Sequence, residues 1–387
     1  MAKPESLGIL GLESAHWYVR DLERSRRFYT EALDFAEVGV SSPDLEKRGK
    51  QKSAVFQAGG VTLICSQPVG DGGRAARYLK QHPDGVGSLV FRVKDIDRTF
   101  QLLDKRGGTF ITDVERATDE HGGKLAHFLI ATPFGESCFR FLQRDDFKAV
   151  YPGFLPHPEP KGGKNRFGFT HVDHVTTNFQ TMVPALLWME HVLGLQRFWN
   201  IEFHTQDTGL SEGFDKGSGL RSQVMWDPES HIKFANNEPT RPHFKASQVN
   251  IYHEDNRGDG IQHLALGVKD IVQAVGGLRA QKQVDFMVTP DSYYDLLPQR
   301  IEKLNIKRID EDQNVLRSLQ ILIDGAKEHS YLLQIFMKDA ATLYKDTEAG
   351  PFFYELIQRK GDEGFGGGNF RSLFESIERE QKAAGRV

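Results

Sequence analysis

The chain has 387 residues, 39% of them hydrophobic and 27 of them Phe, so it is too long for one ordinary core and has the apolar material for two. A formal net charge of −4, with Lys and Arg scattered, leaves no electrostatic basis for binding nucleic acid or an anionic membrane. No long apolar run occurs, and MAKPESLGILGLES lacks the apolar centre of a signal peptide. A cytoplasmic location is the expectation, and it suits the two cysteines, Cys65 and Cys138, which lie in apolar strand-like contexts.

In chain order, Ser14-Ala15-His16-Trp17-Tyr18-Val19 reads as a strand feeding the amphipathic helix FYTEALDF. Residues 85–107 read as a strand and then a helix, and Cys138 to Arg144 as another strand. The stretch 145–166 is rich in Pro, Gly and charge and reads as a linker. This predicts a first domain over 1–150, a linker over 151–169 and a second domain over 170–387. The second part repeats the first: Val172-Asp173-His174-Val175-Thr176 precedes the helix WMEHVLGL. GIQHLALGVKDIVQAVGGLRAQ (260–281) shares Val-Lys-Asp-Ile with 85–107, and Phe353 to Arg359 lines up with Cys138 to Arg144. A diverged internal repeat of this kind predicts an α+β fold of two tandem units. Each unit is built from repeated βαβββ modules whose curved sheets form open barrels. The interval from His263 to Glu355 is about 40 residues longer than its counterpart from Ser88 to Arg140. The excess includes TPDSYYDLLPQRIEKLNI, expected to be helical and to cover one side of a site.

The repeat alignment places His174 on His16, His263 on Ser88 and Glu355 on Arg140. A guanidinium cannot bind a metal ion, so the first half is expected to be metal-free and the second to be the active half. His171 and His174 have opposite strand parity, so only one points inward, and the alignment selects His174. Glu355 stands alone between Tyr354 and Leu356 in an apolar strand, where burial without a cation would be costly. Two imidazoles and one carboxylate are the facial donor set of non-haem Fe(II) oxygenases, which leaves positions open for substrate and O2. Structural zinc would favour four ligands including sulfur, and neither cysteine is placed to serve. Phe353 shares parity with Glu355, and Phe336 with Gln334.

FANNEP (234–239), SQVNIYHEDNRGDGIQHLAL (247–266), LLQIFMK (332–338) and FFYELIQRKGDEGFGGGNFRSLFESIERE (352–380) resemble the vicinal-oxygen-chelate superfamily and, within it, the 4-hydroxyphenylpyruvate dioxygenase family. The resemblance spans essentially the whole chain, strongly from about residue 170 onward and weakly over 1–150. It also selects His174, His263 and Glu355 as the metal ligands. It implies Fe(II) as cofactor, 4-hydroxyphenylpyruvate and O2 as substrates, homogentisate and CO2 as products in tyrosine catabolism, and a homodimer or homotetramer. It further implies that Ser222, Asn237, Gln248, Gln262 and Gln334 surround the substrate and that Phe336, Phe353 and Phe370 hold its ring, with Asn369 and Phe374 nearby. Gln262 has the wrong parity to join His263 unless the strand twists, and Asn237 reads equally as an Asx turn before Pro239. Glycines 366–368 read as a hinge before a terminal helix, 370–383, that closes as a lid. A solvated helix on which Phe370 and Phe374 merely pack fits the same residues. Three rivals stand beside the dioxygenase. A 4-hydroxymandelate synthase shares metal and substrate but usually has an aliphatic residue where this chain has Phe370. Extradiol dioxygenases lack SQVN and LLQIF. A non-enzymatic binding protein of this fold would have lost the ligands.

Overall fold

The computed structural model describes residues 5–365, 367 and 369, except 205–218, 242–243, 290 and 328–329. Within them the first half contributes β1 (Ile9–Tyr18), β2 (Ala36–Ser41), β3 (Gln51–Ala58), β4 (Val61–Pro68), β5 (Gly85–Val93), β6 (Glu115–Thr118), β7 (Lys124–Ala131), β8 (Cys138–Asp145) and β9 (Phe154–Gly162). The second contributes β10 (Phe169–Asn178), β11 (Gln196–His204), β12 (Gly219–Trp226), β13 (Lys233–Pro239), β14 (Gly260–Val268), β15 (Leu322–Lys327), β16 (Ser330–Phe336) and β17 (Phe353–Lys360). Among the described residues the strands form two curled sheets, β6-β7-β8-β5-β1-β4-β3-β2-β9 and β11-β12-β13-β10-β14-β17-β16-β15. Apart from β9 the two orders are the same topology. Each sheet is two βαβββ modules joined through an antiparallel central pair, β1 with β5 and β10 with β14.

The shared Val-Lys-Asp-Ile has a local job in both halves. Asp95 caps the helix Ile96–Lys105 by accepting from Arg98 N, and Asp270 caps Ile271–Gln281 by accepting from Gln273 N. The first free N–H of each helix is met by a strand glutamine: Ile96 N donates to Gln143 Oε1 and Ile271 N to Gln358 Oε1, both at 3.0 Å. These caps fix each helix against the last strand of its module.

The central strands are buried on both faces, so they read as near-continuous apolar runs; all nine residues of β14 are buried. One face packs into a core that runs through both halves. There Phe139 stacks on Phe234 with centroids 5.8 Å apart, Phe134 meets Phe179 at 5.3 Å and Phe35 meets Phe169 at 5.1 Å. Burying each such ring contributes roughly 1.5–3 kcal/mol. The opposite, concave face of each sheet is where the polar side chains converge. The expected insertion is helical over Asp291–Asp295, Leu297–Lys303 and Gln313–Leu319, and it is tied to β15 by Tyr293 Oη, which accepts from Ile323 N at 2.9 Å.

Two expectations need correction. The stretch read as an irregular linker contains β9, which pairs with β2 at the edge of the first sheet. Its prolines, Pro156, Pro158 and Pro160, are tolerated there because an edge strand needs hydrogen bonds on one side only. The repeat alignment of β1 is also two residues out. Ser14 pairs with Val90, which pairs with Arg140, while His16 pairs with Ser88. In the second half His174 pairs with Ala265, which pairs with Glu355, and Thr176 pairs with His263. The counterpart of His174 is therefore Ser14, and His16 answers to Thr176. A two-residue offset preserves strand parity, so the alternation pattern could not reveal it. The first half keeps none of the three donors.

Buried polar contacts also join the halves, among them Tyr29 Oη with Tyr354 Oη at 2.8 Å and His82 Nδ1 with Asn256 O at 2.7 Å. Tyr29→Phe, which strands the Tyr354 hydroxyl, is expected to cost about 1–3 kcal/mol in chemical denaturation, and adding Tyr354→Phe to recover part of that loss.

Candidate metal centre

His174 leaves β10, His263 leaves β14 and Glu355 leaves β17, three adjacent strands at the centre of the second sheet. One potential ligand atom from each lies within 4.8 Å of the others, and all three side chains are buried. Glu355 Oε2 is 3.4 Å from His174 Nε2 and 3.4 Å from His263 Nε2. This spacing is a cup for a cation: the atoms converge on one point while each remains held from behind.

The holding is specific. His174 Nδ1 meets Asp173 Oδ1 at 2.9 Å, and Asp173 is itself clamped by Arg359, Nε to Oδ2 at 2.6 Å and Nη2 to Oδ1 at 2.7 Å. His263 Nδ1 meets Gln262 Oε1 at 3.2 Å. Oxygen acceptors on both Nδ1 atoms require the proton there and leave the Nε2 lone pairs facing inward, which is the tautomer a metal needs. Gln334 Nε2 donates to Glu355 Oε1 at 2.8 Å, Asn369 Nδ2 donates to Gln334 Oε1 at 3.0 Å, and Tyr293 Oη donates to Asn369 Oδ1 at 2.9 Å. The insertion therefore reaches the carboxylate through a relay of three side chains.

Electrostatics favour a cation in the cup. Burial works to raise the Glu355 carboxyl, but the two imidazoles, His174 foremost, outweigh it and hold it at about 2. Burial works to lower His174, yet the Glu355 carboxylate and the bond from Asp173 raise it above its ordinary value. For His263 burial wins, and its value is lowered despite Glu355. A buried carboxylate that pulls a proton onto its neighbour is asking for positive charge, and a divalent ion supplies it without protonating a ligand. Two nitrogens and one carboxylate oxygen fit such an ion.

Strand bulges do what simple alternation forbids. The pairing of β10 with β14 skips Asp173 and Gln262, so Asp173 and His174 serve one site together, as do Gln262 and His263. That settles the parity problem of Gln262. Asn237 lies within β13 and not in an Asx turn. Its Nδ2 donates to Asn178 Oδ1 at 3.0 Å. Asn237, Asn178, Gln248 and Gln262 line a void with Thr176 and His263, and Ser222 pairs across the strands with Asn237. Buried Ser222 Oγ, Asn237 Oδ1 and Asn178 Nδ2 have no hydrogen-bond partner among the described residues, which marks a recessed surface built for a polar ligand. Gln248, Gln262 and Phe353 also line an outer cleft of about 710 Å³, with Arg257 and Lys345 at its rim.

The aromatic side is equally defined. Phe353 stacks on the His263 ring at 4.7 Å and Phe336 stands edge-on at 6.2 Å. Phe365 packs against His174 at 4.9 Å. Phe365, Asp173, Arg359 and Asn178 were not singled out from sequence. The carboxylate directly before His174 and the arginine four residues after Glu355 were the available signals. His171 is exposed. Phe370, Phe374 and the helix 370–383 lie outside the described residues.

This duplicated, curled α+β scaffold is one that known proteins share. The sequence pattern of the Glyoxalase/Bleomycin resistance protein/Dioxygenase superfamily matches twice, over residues 11–137 and 171–297. A substituted 4-hydroxymandelate synthase from Streptomyces coelicolor superposes with a TM-score of 0.78 at 24% identity, covering 97% of this chain and 99% of that one, a likeness of fold. Within the superfamily the chain belongs to the 4-hydroxyphenylpyruvate dioxygenase family. It is 33% identical to the Caenorhabditis briggsae 4-hydroxyphenylpyruvate dioxygenase across 100% of this chain and 95% of the relative. The Tetrahymena thermophila enzyme of that name is 33% identical across 100% and 93%. The Dictyostelium discoideum enzyme is 30% identical across 97% and 100%.

Arg359→Gln should loosen Asp173 and weaken divalent-metal affinity roughly 10–100-fold. Arg144→Gln, which breaks the equivalent pair with Glu13 in the first half, should leave that affinity unchanged. Metal titration of both variants checks the contrast.

Proposed function

We propose that the chain is an Fe(II)-dependent dioxygenase that converts 4-hydroxyphenylpyruvate and O2 to homogentisate and CO2. The observation that carries this reading is the buried three-donor cup opening beside unpartnered amide and hydroxyl groups and two aromatic rings. Family membership points to the same chemistry. Iron is favoured by two imidazoles and one carboxylate with no thiolate in reach.

Charge balance supports a 2-oxo acid as the ligand. With His174 and His263 neutral and Glu355 ionised, a divalent ion leaves the cup one positive charge in excess, and Asp173 is already neutralised by Arg359. A monoanionic carboxylate restores neutrality in a dry interior, where an uncompensated charge is expensive. Iron held by His174, His263 and Glu355 would supply open coordination positions for the 2-oxo acid and O2 and would mediate electron transfer from the one to the other. The protein's own residues supply placement. Gln334 keeps the Glu355 carboxylate turned inward, and Asp173 and Gln262 keep both imidazoles in register. Phe336 and Phe353 confine the aromatic ring, while Asn237, Asn178, Ser222 and Gln248 give the substrate's polar end its hydrogen bonds. Phe365 shields His174 from water. Such positioning and water exclusion are the main levers a protein has over a cofactor-borne reaction. A homodimer or homotetramer in the cytoplasm is the assembly and location we propose with it, and light scattering tests the former.

Anaerobic Fe(II)-loaded protein mixed with the 2-oxo acid should gain a visible charge-transfer band, and admitting O2 should release CO2 and homogentisate. 4-Hydroxymandelate as the product would instead place the chain with the synthase. Phe353→Ala should lower kcat/KM about 10–100-fold while leaving iron content intact, because the ring is positioned and not ligating.

A further inference from the structure

The first half builds the same cup and fills it with the opposite charge. By strand register Ser14, Ser88 and Arg140 stand where His174, His263 and Glu355 stand. His127 replaces Gln334, Leu129 replaces Phe336 and Cys138 replaces Phe353, while Ser53 and Ser66 take the places of Ser222 and Asn237. The clamp behind the cup is present in both halves: Glu13 and Arg144, 3.0 Å apart, occupy the positions of Asp173 and Arg359. Only the centre is inverted, from carboxylate to guanidinium. The interior stays polar, and several of its side chains are smaller than their counterparts.

Arg140 has no carboxylate partner among the described residues. It donates to His127 Nδ1 at 2.9 Å and lies over the Tyr151 ring at 4.6 Å, contacts that leave its charge uncompensated. A second guanidinium, Arg74, hydrogen-bonds Tyr18 and donates from Nη2 to Glu136 O at 2.9 Å, and its charge acts with that of Arg140 on His16. Arg74 Nε is buried without a hydrogen-bond partner, and so is Ser88 Oγ, whose residue is 4% exposed. Of the carboxylates in this region, Glu13 is spent on Arg144, Glu115 is largely exposed 3.8 Å from His127, and Glu136 is exposed. One guanidinium without a carboxylate partner, a second nearby that is met by a tyrosine hydroxyl, a carbonyl and an exposed carboxylate, and a buried hydroxyl have the chemistry of an oxyanion receptor.

We propose that this metal-free N-terminal cup is a binding site for a small carboxylate, held by Arg140 and Arg74 with Ser88 as a third donor. It is separate from the catalytic cup, and it stands whatever the product of the second half.

The test is calorimetric titration of the full chain with acetate and benzoate at constant ionic strength, with methyl acetate as the uncharged control and sulfate as the inorganic arm. Saturable binding of a carboxylate is expected, retained in Glu355→Gln, weakened about tenfold or more in Arg140→Gln and in Arg74→Gln, and intermediate in Arg140→Lys. Carboxylate binding to the Glu355→Gln protein that survives the addition of Arg140→Gln overturns the proposal, as does binding of sulfate alone or of no anion at all. Should Arg140→Gln fail to fold, bromide soaked into crystals of the unsubstituted protein decides the matter. Anomalous signal between Arg140 and Ser88 supports the site, and its absence there rejects it.

Discussion

The structure turns on one ionised carboxylate with almost no access to water. Glu355 is 1% exposed, with one oxygen 3.4 Å from two imidazole nitrogens and the other held by an amide. An ion in such surroundings costs several kcal/mol unless it is matched. Everything adjacent is arranged so that a cation is the match. Asp173 and Gln262 consume the Nδ1 protons, Arg359 holds Asp173, and the relay from Tyr293 through Asn369 to Gln334 fixes the carboxylate plane. With no cation in the cup, the Glu355 carboxylate and Asp173 raise the His174 imidazole above its ordinary value instead.

Duplication shows which of these features belong to the scaffold and which to the chemistry. Helix caps at Asp95 and Asp270, the strand glutamines that meet them, and the two acid–arginine clamps recur in both halves. They stabilise a βαβββ frame whatever lies inside it. The inward positions do not contribute to that frame and were free to diverge. In one half they became donors for a cation, and in the other serines and a guanidinium. A frame that tolerates both explains how one topology carries three convergent metal-type donors in one half and, among the described residues, none of their counterparts in the other.

Much of the site was legible in the sequence because it depends on residue chemistry and strand parity. Alternation separates His171 from His174 and puts Phe353 on the face of the lone Glu355, while the repeat and the family resemblance select His174. What escaped was whatever depends on register. Gln262 reaches the site only because β14 bulges at that residue, and Asp173 stands beside His174 only through a second bulge in β10. The match of His16 with His174 failed for the same reason, since an even offset is invisible to a period of two. The expected linker became β9 because a proline-rich stretch found a free sheet edge to pair with, a partner more than a hundred residues away.

From the sequence alone came the two-fold repeat, the identities of the three candidate ligands and the loss of a carboxylate at Arg140, all of them properties of side chains read one position at a time. The tertiary structure decided that the three donors meet, which atoms orient them and that the first cup retains none of their counterparts. Those outcomes rest on bulges and cross-strand register, which are set by pairing between segments far apart in the chain and leave no periodic trace along it.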